Sequence, residues 1–236
     1  PALYFDYTYL VLVLPAIILA MIASSRVHTV FRHYEQQHSR RGLTGAAAAR
    51  AVLDANGLQQ VQIEHISGNL TDHYDPRDNV IRLSDSVYNS TSTAAIGVAA
   101  HEAGHAVQYA VGYGPIRLRS AIIPATNIGS KLAVPLVILG LVLSYYGQTY
   151  LTIAYIGIAC FALATFFQLV TLPTEFNASR RALAAISAGG LLDADEMEGA
   201  RKTLSAAAMT YVAALAVSLT QLLRLLLIVA SHSRRD

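Results

Sequence analysis

Charge is scarce in this 236-residue chain: Asp, Glu, Lys and Arg make up 14% of it, against 54% hydrophobic residues. An average soluble domain has about a quarter of its residues charged. The apolar residues here also fall in blocks, which predicts a membrane protein. The net charge is only +2, and its excess sits beside the apolar blocks, so no nucleic-acid partner is implied. Cysteine is nearly absent. Cys160, alone and inside an apolar block, can form no internal disulfide and reads as packing. The apolar blocks carry no series of His, Asp or Glu, which argues against a metal transporter or sensor. No basic stretch precedes the first block, while Arg26, Arg32, Arg40, Arg41 and Arg50 follow it, the pattern of an anchor and not of a signal peptide.

Four blocks are long enough to count as spans. They are Tyr9 to Ala23, extendable through Leu3 to Tyr7, then Leu132 to Tyr146, Leu151 to Thr171, and Ala206 to Ala230. The tyrosine-rich, charge-free turn Tyr145 to Tyr150 suits a membrane interface, and Arg224 in the last block must snorkel or face protein. Arginine counts put residues from about 24 to 130 and from about 172 to 205 on the cytoplasmic side; Arg234 and Arg235 weigh weakly against this. Five parts follow: an anchor (1–24), a cytoplasmic part (25–130), a membrane hairpin (131–172), a helical segment expected to carry a third ligand (173–205) and a C-terminal span (206–236).

Between the first two spans the polar stretch Arg26 to Arg41 predicts a helix leaving the membrane. His28, His33 and His38 lie five apart, share no helix face and read as solvated surface. Gly42-Leu43-Thr44-Gly45 opens a small helix, Ala46 to Asn56, closed by Gly57. Val61 to Ile66 and Asn79 to Ser84 alternate as strands, with Asp75-Pro76-Arg77-Asp78 as turn chemistry and His73 as a polar residue at the turn's start. A helix capped at Ser92 or Thr93 then runs to Ala110, ended by Gly112 and Gly114-Pro115.

That helix contains His101-Glu102-Ala103-Gly104-His105. Residues four apart lie one above the other on a helix, so both imidazoles can reach one tetrahedral metal while Glu102 sits beside the open position. Zinc lowers the pKa of bound water, and a carboxylate placed there can take its proton and pass it to a leaving amine. The apolar flanks Val98 to Ala100 and Ala106-Val107 disfavour a solvated face. Gly104 costs about 1 kcal/mol relative to alanine and needs a packing reason, for which close approach of a strand would serve. The apolar length of the helix also leaves open a zinc helix buried in lipid. A catalytic site needs a third protein ligand. Glu175 is the best candidate: two spans separate it from His105, which returns the chain to the same side, and Pro173 is expected to end the span before it. A dipole-complementing role in a helix first turn is the plain reading of Glu175. Asp193 is its rival as ligand, though a helix cap suits Asp193 better.

Several segments, in order, resemble the YugP-type membrane zinc metallopeptidases, a family of neutral zinc metallopeptidases of bacteria. They are Asp72-His73-Tyr74-Asp75-Pro76, Arg82-Leu83-Ser84, Val98 to Ala106, Gly112-Tyr113, Leu172 to Phe176, Ala178 to Ala182 and Thr210-Tyr211-Val212. The resemblance spans nearly the whole chain. It implies His101 and His105 as zinc ligands, Glu102 as base and Glu175 as a gluzincin-type third ligand, similar to HtpX-type membrane proteases. Asn177 stands where relatives are expected to carry aspartate, and Ser179 where HtpX-like proteins carry an acidic residue, so any acidic partner of a ligand histidine must come from elsewhere.

The expectation is a mainly α integral membrane protein with four transmembrane helices and a small α+β zincin-like catalytic part on the cytoplasmic face of a bacterial inner membrane. It would bind one Zn2+ and cleave membrane or membrane-proximal polypeptides. Val80, Ile81, Arg82 and Leu83 would align substrate by main-chain pairing. Asn177, Ser179, Arg180 and Tyr211, with Tyr109 and Tyr113, are candidates to support the ligands or stabilise the oxyanion. Partners would be the lipid bilayer, polypeptide substrates and a further protein or second copy. The alternative is a catalytically silent zinc-binding adaptor or assembly factor.

Overall fold

Ser92 sets up the central helix of the fold, because its side chain accepts a hydrogen bond from the Ala95 amide and so starts the Ala-rich run that follows. The computed structural model describes residues 7–233, so Leu3 to Asp6 and the pair Arg234 and Arg235 lie outside the described residues. A π-helical turn, Tyr9–Val13, leads into α1 (Leu14–Glu35). Next come α2 (Gly45–Ala55), β1 (Gln62–His65), β2 (His73–Asp75), β3 (Val80–Leu83), α3 (Thr93–Ala110), α4 (Gly114–Leu143), α5 (Leu151–Ala188) and α6 (Met197–Ser233). Four helical stretches are long and apolar enough to cross a membrane: Tyr9–Glu35, Gly114–Tyr146, Gln148–Ala188 and Met197–Ser233. The helix α3 is not among them.

The chain divides into two compact units. One comprises residues up to Ile22, Leu118–Leu172 and the chain from Thr210 on. Its core joins Val137 of α4, Leu151, Ala154 and Ile158 of α5, and Leu225 and Val229 of α6. Thr165 of α5 and Ser218 of α6 share a hydrogen bond of 2.7 Å there, which satisfies both hydroxyls away from water. The other unit, Ala23–Arg117 with Pro173–Met209, is built around α3. Its core gathers Ala49, Val52 and Leu53 of α2, Ile81 and Leu83 of β3, much of α3, Ala182 and Ile186 of α5, and Ala200 and Leu204 of α6.

Several expectations change. The helix after the first block stops at Glu35 instead of continuing to Arg41, because the chain turns and is pinned to the start of α3 by Ser39 N–H donating to Thr91 C=O and by pairing of His38 with Ser92. His73–Asp75 is a strand, not the start of a turn: it pairs antiparallel with β3, Tyr74 opposite Ile81, while β1 runs parallel to β3 with Ile63 opposite Ile81. The sheet order is therefore β1-β3-β2. Pro173 lies inside α5 and does not end it. A mid-helix proline removes one hydrogen bond, and the helix continues because Ala178, Ala182 and Ile186 beyond it are buried completely. Gly57 and Gly112 adopt left-handed backbone (φ 72° and 66°) and close α2 and α3 as expected.

Candidate metal centre

A side chain at Gly104 would have no room. Its Cβ would lie 2.7 Å from the carbonyl oxygen of Ala178, so glycine lets α3 and α5 approach at backbone contact. The close neighbour is thus a helix and not a strand. This contact fixes the site, since Gly104 lies between the two histidines of α3 while Glu175 precedes Ala178 by one helical turn on α5.

The three side chains converge. Glu175 Oε2 lies 3.2 Å from His101 Nε2 and 3.4 Å from His105 Nε2, and the imidazole planes stand at 86° to one another. One ligand atom from each of His101, His105 and Glu175 falls within 4.8 Å of the other two, the one such group of His, Cys, Asp and Glu among the described residues. Tetrahedral zinc holds donors at about 2.0–2.1 Å, which sets them about 3.3–3.4 Å apart. The two observed separations match that edge. Glu175 is 3% exposed, and Glu102 and His105 are buried. Burial alone would depress the His105 pKa, yet the facing Glu175 and Glu102 carboxylates overcome it and raise the value. The cluster attracts positive charge to the point where the three donors meet, which is the chemistry a cation site requires.

Other ring atoms are also engaged. His101 Nδ1 lies 3.1 Å from Ser179 Oγ, and His105 Nδ1 lies 3.0 Å from Gln108 Oε1. Gln108 is wholly buried and donates through Nε2 to Thr174 C=O (2.8 Å) and Asn177 Oδ1 (3.0 Å). Arg181 Nε donates to the same Asn177 oxygen at 2.8 Å. Of the anticipated supporting residues, Ser179 and Asn177 are brought in, Arg180 is exposed, and Tyr211 belongs to the other compact unit. Tyr113 Oη donates to Pro173 C=O at 3.4 Å, and the Tyr109 ring packs on Tyr74. Asp193 is held by Arg40 rather than by the cluster, its own N–H donating to Glu196 Oε2. Exposed His28, His33 and His38 stay apart from it, as does His73, whose Nδ1 lies 2.9 Å from Thr71 C=O. Sequence reasoning missed Gln108 and Arg181. The available signal was the spacing, with Gln108 three after His105 on one helix face and Arg181 four after Asn177.

Main-chain pairing of substrate with Val80, Ile81, Arg82 and Leu83 would need an open edge on β3. Strand β3 is central, with both edges taken by β1 and β2. Val80, Ile81 and Leu83 are core residues, and Arg82 is tied to Glu64, Asp75 and Asp78. The strand facing α3 with an open edge is β2. Its Tyr74 N–H turns away from β3 and donates to Glu102 Oε2 at 3.0 Å. Just before it, Asp72 accepts from the amide and hydroxyl of Ser84; burial pushes its carboxyl up, against the lowering effect of those hydrogen bonds.

Residues 9–230 match a family model described as "Putative neutral zinc metallopeptidase". A curated protein of Bacillus subtilis (strain 168), "Putative membrane protease YugP", is 46% identical over 220 residues, which cover 93% of this chain and 96% of that protein. No solved structure gives a significant match.

Proposed function

The chain belongs to the neutral zinc metallopeptidase family, and from that premise we propose that it is a membrane-embedded zinc endopeptidase whose metal is held by His101, His105 and Glu175. The observation that carries this reading is the convergence of those three donors within 4.8 Å, with Glu175 at tetrahedral spacing from each histidine, beside a buried glutamate. Zinc bound there supplies Lewis acidity, lowering the pKa of water and polarising a peptide carbonyl. Glu102 takes the proton of the attacking water and delivers it to the departing amine. An extended peptide adds to the outer edge of β2 by taking the Tyr74 N–H away from Glu102, which holds its backbone beside that carboxylate without demanding one side-chain sequence.

Glu175 shares α5 with a candidate span, which favours substrates that are membrane proteins or lie close to the bilayer. The arginines after the first span favour a site on the cytoplasmic face of the inner membrane. In this reading residues 25–130 and 173–205 form the gluzincin-like catalytic part, and 1–24, 131–172 and 206–236 hold it in lipid. The test compares cleavage of an unfolded protein by the zinc-loaded chain and by Glu102→Gln at equal zinc content. Cleavage by the former alone supports the peptidase and its base. Equal cleavage by both removes Glu102 from the mechanism, and cleavage by neither favours an adaptor.

A further inference from the structure

Arg181 fixes where the protons lie in a chain of groups that ends at a proposed metal ligand. A guanidinium is always charged and can only donate. The Asn177 atom 2.8 Å from Arg181 Nε is therefore the amide oxygen. Gln108 must then present its NH2 group to that oxygen, and the same NH2 meets the carbonyl of Thr174, which can only accept. Two independent acceptors thus settle the orientation of the Gln108 amide, which is otherwise ambiguous by a flip. Its oxygen faces His105 Nδ1 at 3.0 Å, so Nδ1 carries the hydrogen and Nε2 keeps its lone pair toward Glu175. His101 is placed differently. Its Nδ1 faces a serine hydroxyl, which can donate or accept and so dictates neither tautomer.

We propose that Arg181, Asn177 and Gln108 form a positioning relay that holds His105 in its metal-binding tautomer and rotation. The same Gln108 amide grips α5 at Thr174 and Asn177, on either side of Glu175, so one side chain sets two ligands of different helices in register. A buried neutral amide takes the place usually filled by a carboxylate behind a ligand histidine. The proposal rests on the ligand assignment made above, and none of the three residues touches the reacting atoms.

The test uses the full chain purified in detergent, with zinc affinity measured by competition against a chromophoric chelator and ligand geometry read from the absorption of the Co2+-loaded protein. Gln108→Met and Asn177→Leu should each weaken zinc binding by about 10- to 100-fold and shift the Co2+ bands. Asn177→Asp keeps an acceptor for both Gln108 and Arg181, so it should retain wild-type affinity and spectrum. A merely structural role would lower the melting temperature of the metal-free protein in Asn177→Leu and leave the Co2+ bands in place. Wild-type affinity and spectrum in folded Gln108→Met, or loss in Asn177→Asp as large as in Asn177→Leu, would overturn the relay. Should Gln108→Met fail to fold, the two Asn177 variants decide the matter. Failure of the ligand assignment looks different: the wild type itself would bind no zinc, or His105→Ala would bind it unchanged.

Discussion

Adding one methyl group at Gly104 should separate metal binding from folding. The new Cβ would sit 2.7 Å from Ala178 O and 3.3 Å from its carbonyl carbon, and Ala178 is a fully buried residue inside α5. Ordinary contact needs about 0.7 Å more, and because the obstacle is backbone, α5 must move to provide it. Glu175 rides on the same stretch of helix. Its 3.2 and 3.4 Å separations from the histidines would open toward about 4 Å, beyond the tolerance of about 0.2 Å in a zinc site. Overpacking costs about 1–3 kcal/mol, while glycine-to-alanine in a helix returns about 1 kcal/mol. Net stability should therefore fall by at most about 2 kcal/mol. If the strain is relieved by displacing Glu175, zinc affinity falls by about 5- to 140-fold, since each 1.4 kcal/mol is tenfold. The assay is chelator competition on Gly104→Ala alongside thermal melting of the metal-free protein. Gly97→Ala serves as the control: its Cβ would crowd Ala200 of α6 at 3.1 Å, a helix with no ligand, and should leave zinc affinity alone. Wild-type affinity in Gly104→Ala, or equal losses in both variants, would refute the reasoning.

Two further outcomes are expected. Chelation of zinc should lower the melting temperature of the wild type, because a ligand bound by the folded state alone stabilises it; Glu175→Gln should melt at one temperature with or without chelator. Asp72, whose carboxyl burial holds above its ordinary value, contributes stability that is full below the unfolded-state carboxylate pKa and is lost as pH rises through the raised folded value. Melting followed across that acidic window should show the decline in the wild type and a flatter profile in Asp72→Asn.

The helix that carries His101 and His105 was legible because its evidence is local. Four-residue spacing, a serine cap and a glycine stop need no knowledge of the rest of the chain. The strands β1 and β3 were legible for the same reason, through alternation over Val61 to Ile66 and Asn79 to Ser84. By contrast β2 is three residues long and runs straight into Pro76, so it has turn composition and becomes a strand only by pairing with β3. The central place of β3, which leaves Val80 to Leu83 without an open strand edge, depends on sheet order, which alternation does not encode. Pro173 misled in the other direction, since packing against α3 carries the helix through a residue that local propensity would use as a stop. Glu175 could be named because the span count restricted where a third ligand could lie. Gln108 could not, because a lone amide in an apolar helix looks like any half-buried polar residue until its partners on α5 are known.

His101 and Glu175 are 74 residues apart in the chain, and the apolar stretch Gly114–Tyr146 and more than half of Gln148–Ala188 lie between them. At a synthesis rate of about 5–20 residues per second, the histidine pair, complete at His105, exists for about 4–14 s before Glu175 has been made. A nascent chain therefore carries only the two histidines of the proposed donor set while the apolar stretch of α4 is being made. Under the proposed function, no activity could begin before Glu175 has been made, after the apolar stretch of α4.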